Sequence, residues 1–102
     1  MKHFLLEGQH LVPFAEMQHL VREHHEFLDK GYKDGVFLFS GPHVPPEGGI
    51  LVARAETLDS LNAYLAEEPF VKAKVMRFSR VTEFEPAQHQ GFLDHWFKGS
   101  RD

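Results

Sequence analysis

The apolar residues of this chain switch between two rhythms, and the switches outline its elements. Lys2 to Glu7, with Phe4-Leu5-Leu6 at its centre, predicts a first strand that ends at Gly8. Pro13 suits the start of a helix, because the N–H it lacks has no partner in a first turn. From Phe14 onward, Met17, Leu20, Val21, Leu28 and Tyr32 fall on one helical stripe. Glu16, His19, Glu23, Glu26 and Lys30 fall on the opposite face. Gly35 is the expected stop, with Gly31 inside the last turn.

Val36 to Phe39 is an unbroken apolar run, which predicts a strand covered on both faces and ended by Ser40-Gly41-Pro42. Pro45, Pro46, Gly48 and Gly49 make residues 43–49 a loop. Ile50 to Ala55 predicts a third strand. Thr57 is placed to cap a second helix carrying Leu58, Leu61, Tyr64 and Leu65. Pro69 interrupts that helix, and Phe70 to Ala73 reads as a short turn. Val75 to Phe84, rich in β-branched and aromatic residues, predicts a long fourth strand.

The order β-α-β-β-α-β defines an α+β, ferredoxin-like fold, an antiparallel sheet with helices on one face. Strands this rich in phenylalanine should not leave the other face wet. A second copy packed sheet to sheet covers it most simply, so a homodimer is expected. The ferredoxin-like domain should span residues 1–86, followed by a helical extension over 87–102. In that tail Phe92, Leu93, Trp96 and Phe97 recur at helical spacing, and they should dock on the dimer partner or on the chain's own helices.

Composition narrows the function. With 102 residues, 42% hydrophobic and 25% charged, the chain has the profile of one ordinary globular domain. A net charge of −4 and the lack of any lysine or arginine run give no pull toward nucleic acid or anionic membrane. The apolar run at the N-terminus is too short for a signal peptide, and no segment approaches a membrane span. The absence of cysteine rules out disulfides and thiolate chemistry, and fits a cytoplasmic location.

One ionisable residue interrupts the apolar stripe. His24 lies four residues after Leu20, three after Val21 and four before Leu28, so it should point inward. Two readings stand open for it. One is a buried histidine satisfied by a single hydrogen bond; the other is a general acid–base group, which an ordinary pKa of ~6.5 suits. His25 lies nearer the polar edge, four residues before Asp29, its expected partner. Ser40 lacks the strand–turn–helix context of a nucleophile. Arg54, flanked by alanines on a strand, either binds an anionic substrate, faces solvent or pairs across the dimer. Arg77 and Arg80 carry the same ambiguity. Eight histidines raise the question of a metal, but His19 and His24 are five apart and His24 and His25 adjacent. Neither spacing is the i, i+4 pair that chelates from one helix, so no metal is expected.

The string His24-x-x-Phe27-Leu28, then Gly35, Phe37-Leu38, Ser40-Gly41-Pro42 and Gly48-Gly49-Ile50 resembles the YciI-like family. So do Glu68-Pro69-Phe70 and the run Val81 to Pro86. The resemblance covers roughly residues 2 to 86 and implies a small dimeric α+β barrel. It also implies an active-site dyad, a histidine on the first helix and an aspartate in an Asp-Pro-Phe/Tyr motif. Counted back from Gly41, the family histidine matches His24. Glu68 stands where the aspartate usually stands, as a displaced orienting carboxylate or as a solvated helix-end charge.

Two functions follow from the resemblance. The first is a cofactor-independent enzyme on a small organic molecule, with His24 as acid or base, Glu68 orienting it, and Ser40, Gly41, Pro42 and Arg54 beside the substrate. The second is a non-catalytic module that binds a small ligand.

Overall fold

A computed structural model describes residues 1–99. Its elements are β1 (Lys2–His10), α1 (Val21–Lys33), β2 (Phe37–Pro42), β3 (Gly48–Ala55), α2 (Leu58–Leu65), α3 (Pro69–Lys72), β4 (Met76–Phe84) and α4 (Asp94–Phe97). The strands form one sheet in the order β2-β3-β1-β4, and every pairing is antiparallel. This is the expected ferredoxin-like arrangement, with the principal helices on one face.

The expected helix stop and cap both form. At the end of α1, Gly35 takes the left-handed conformation (φ 71°). There Gly35 N–H donates to Tyr32 and Val36 N–H to Gly31, which satisfies carbonyls the helix leaves open. At the start of α2, Thr57 and Ser60 exchange hydrogen bonds in a capping box.

Several boundaries move. The helix expected from Phe14 begins as two 3₁₀ turns, Phe14–Glu16 and Gln18–Leu20, and becomes α-helical only at Val21. Phe14, Met17 and Leu20 lie three apart, the spacing that aligns side chains in a three-residue turn. β1 continues past Gly8 through a bulge between Glu7 and Gly8. On the other side of β1, Gly48 of β3 sits where a Cβ would come within 1.9 Å of the Gly8 carbonyl, so only glycine fits. β2 takes in Ser40, Gly41 and Pro42, which were expected to end it. Because β2 is an edge strand, Pro42 needs no outward N–H. Nor is β2 covered on both faces: Phe37 is fully buried, whereas Phe39 is 55% exposed. Tyr32, expected inward, is exposed, with its ring edge-on to Phe37.

Between helices and sheet lies the main core, Phe4, Leu6, Phe37, Leu51, Ala53, Leu61 and Leu65. A second cluster, Met17, Phe70 and Met76, joins the 3₁₀ segment to α3 and β4. Strand alternation puts His3 on the opposite sheet face from Phe4. There it lies in one cross-strand row with Arg54 and Phe84.

The tail goes to that second face and not to the chain's own helices. A 3₁₀ turn (Gly91–Leu93) leads into α4, whose Trp96 ring lies 3.6 Å from the Arg54 guanidinium carbon. Phe97 meets His3 edge-on at 5.1 Å between ring centres. Arg54 is therefore not at the surface of the chain. It is 1% exposed, and it donates through Nε to the Gly35 carbonyl and through NH1 to the Trp96 carbonyl, both at 2.7 Å.

Candidate active site

The site grows from two helix boundaries. In the first turn of α1, His24 faces the protein because Val21 and Leu28, on the same stripe, pack inward. Glu68 precedes Pro69, and proline at the first position of α3 leaves the preceding residue extended, the geometry of an N-cap. The Glu68 side chain caps α3 by accepting the Val71 N–H at Oε2, 3.0 Å away. Its other oxygen, Oε1, lies 2.6 Å from His24 Nδ1. One carboxyl group thus closes a helix and holds an imidazole. Glu68 is only 2% exposed, so the solvated helix-end reading does not hold.

A carboxylate offers acceptors only, so His24 meets it as an Nδ1–H donor and keeps Nε2 for other work. The ring is held on its face as well. Phe70, two residues after Glu68, stacks on it at 4.2 Å between centres and 16° between planes. With a hydrogen bond in its plane and a phenyl ring on its face, the imidazole has little freedom left.

His24 and Glu68 line a cavity of about 560 Å³ between α1 and the sheet. Val21, Leu28, Phe70, Met76 and Phe78 make much of its wall apolar. The volume suits a small organic molecule. Ser40, Gly41 and Pro42 also line it. The Ser40 hydroxyl is engaged with Tyr32 Oη at 2.6 Å, so this wall is braced by a tyrosine behind it. Arg54 does not line the cavity, because it projects from the other face of the sheet into the tail contact. That removes it from the substrate-binding set. Arg77 is engaged with Gln9 on the neighbouring strand, and Arg80 is exposed.

His25 is exposed, with its ring 5.6 Å from that of His24 and no hydrogen bond to Asp29 among the described residues. It still reaches the cavity rim. His10 and Phe14 line the cavity too, and sequence reasoning missed both. The signal for His10 was present: Phe4, Leu6, Gly8 and His10 alternate on one strand face, but only if the strand runs past Gly8.

No helix among the described residues is long and apolar enough to cross a membrane. No curated protein matches the sequence significantly. Among solved structures, the chain is similar to 5-chloro-2-hydroxyhydroquinone dehydrochlorinase (TftG) from Burkholderia phenoliruptrix AC1100, in complex with 2,5-dihydroxybenzoquinone. The two align with a TM-score of 0.62 and 16% identity, over 82% of this chain and 91% of that one. At that identity the likeness speaks for the fold alone. The model of the YCII-related domain matches residues 1–85, nearly everything before the tail, and the protein belongs to that family.

Proposed function

We propose that this protein is an enzyme that moves a proton on a small organic molecule without a cofactor, with His24 as acid–base group and Glu68 as its orienting partner. The observation that carries the reading is the 2.6 Å contact between His24 Nδ1 and Glu68 Oε1 in the wall of a largely apolar cavity. In the forward step Nε2 takes a proton from carbon or oxygen of the substrate, whose electron pair remains as an enolate or phenolate. The Glu68 carboxylate stabilises the imidazolium so formed. Return of the proton to a different atom gives an isomer; departure of a leaving group with the electron pair gives an elimination. The hydroxyquinone in the structurally similar dehydrochlorinase is a compound of this acidic, planar kind.

The competing reading, a ligand-binding module, draws on glutamate standing where the family's aspartate usually stands. The longer side chain nevertheless reaches the imidazole within hydrogen-bond distance while still capping α3. Deuterium exchange at the acidic C–H of 2,5-dihydroxybenzoquinone and of cyclic 1,3-diketones, followed in heavy water, separates the two. The wild-type protein should accelerate exchange of at least one compound, and His24→Gln should lose about 100-fold or more of that rate. If no compound shows a His24-dependent acceleration, the enzyme reading fails and the binding module remains.

We also infer a homodimer through the second sheet face, with the tail as part of the contact. Phe39 at 55% exposure and Phe92 at 82% are large apolar side chains without cover in one chain. Sedimentation of the purified protein at micromolar concentration should give twice the chain mass of 11.8 kDa; a monomer would rule the inference out.

A further inference from the structure

The cavity holds an imidazole that stands apart from the His24–Glu68 pair. His10 ends β1 on its helix-facing side and lines the same cavity. Its backbone is anchored, with N–H donating to the Glu47 carbonyl at 3.1 Å. Its ring stacks on Phe14, 6.1 Å between centres and 25° between planes. Among the described residues its ring nitrogens make no hydrogen bond. The other polar side chains of the wall are committed: both Glu68 oxygens are taken, and the Ser40 hydroxyl is held by Tyr32. Lysine, arginine and aspartate are missing from the lining among the described residues. The remaining polar side chains of the wall are imidazoles, His24 with His25 on α1 and His10 on β1.

These imidazoles come from different elements, His24 and His25 from α1 and His10 from the end of β1. A second hollow of about 460 Å³ adjoins the first and shares Gly8, His10, Phe14 and Pro46 with it, but takes in nothing from α1. His10 therefore borders a region that no α1 residue lines. An imidazole donates or accepts a hydrogen bond according to its tautomer and charge, so it matches a hydroxyl or an enol oxygen in either state. The wall between suits a flat apolar body.

We propose that His10 is a second substrate-binding residue, and that the cavity takes a small planar compound with hydroxyl or enol oxygens at opposite ends, one at His24 and one at His10. This rests on the acid–base reading of His24 and adds a specificity element at the end of β1.

Hydroquinone and phenol differ by the one hydroxyl in question, so they form a cycle with His10→Leu. Affinities read by NMR titration should favour hydroquinone over phenol by about tenfold in the wild-type protein, the worth of one hydrogen bond. In His10→Leu that preference should vanish, so that hydroquinone and phenol bind alike. The amide NMR spectrum of the variant, unchanged away from residue 10, shows that the fold and the His24 end are intact. A preference for hydroquinone that survives in His10→Leu overturns the proposal, and so does a wild-type protein that shows none. The acid–base reading fails separately, through the exchange assay with His24→Gln, which does not depend on His10.

Discussion

The molecule places a histidine in a protected setting on each side of its sheet, and the two are treated in opposite ways. On the helix face, His24 has a carboxylate at 2.6 Å, a phenyl ring beneath it and a cavity in front of it. On the other face, His3 is 5% exposed and sealed by Phe97 and Phe84, and among the described residues its buried Nδ1 has no hydrogen-bond partner. Burial, helped by the charges of the N-terminus and Arg54, pushes the His3 pKa below its ordinary 6.5. One imidazole is oriented and left accessible; the other is kept neutral and enclosed. The contrast is one of setting: both rings are shielded, but only His24 has a carboxylate in the plane of its ring and open space before it.

The largest expected effect breaks the first side of this contrast. Glu68→Gln keeps an oxygen for the Val71 N–H but presents an amide N–H to His24, which favours the wrong tautomer. Proton exchange should fall by about 10²- to 10⁴-fold. The melting temperature should move by only a few degrees, since the cap survives. Equal exchange rates for Glu68→Gln and wild type would remove the carboxylate from the chemistry.

Next comes the other face. Arg54→Leu strips the buried Gly35 carbonyl and the half-buried Trp96 carbonyl of this donor and removes the cation stacked on the indole. Stability should drop by about 3 kcal/mol. Binding in the cavity should persist at temperatures where the variant is folded. A loss below about 1 kcal/mol, measured by urea unfolding, would show that the tail contact does not depend on this residue.

The smallest effect is a slope with pH. Because the folded state lowers the pKa of His3, the unfolded chain takes up a proton first as pH falls below 6.5. The stability His3 confers is complete above that value and is lost as pH drops through the folded pKa. Unfolding measured about one unit either side of 6.5 should show a smaller acid loss in His3→Phe than in wild type. Identical slopes would mean that the ring is not shielded as described.

Much of the helix face was legible because its signals are local. The apolar stripe alone points His24 inward, Thr57 announces α2, and Gly35 marks the end of α1. Other features depend on distant chain. β1 passes Gly8 because distant strands go on pairing with it, β3 as far as Gln9 and β4, past a bulge at Ser79, as far as His10, and with that the meaning of His10 is lost to a local reading. An arginine between two alanines reads as solvent-facing until Trp96 arrives to cover it. The reach of Glu68 to His24 depends on α3 starting at Pro69, which places the carboxylate toward α1; no spacing within the chain announces that.

The most direct test is to ask which nitrogen of His24 carries the hydrogen. Long-range ¹H–¹⁵N NMR of the neutral ring should show the proton on Nδ1, facing Glu68, with Nε2 bare, and Glu68→Gln should abolish that preference. A wild-type ring that carries its proton on Nε2, or that averages freely between the two, would contradict the account.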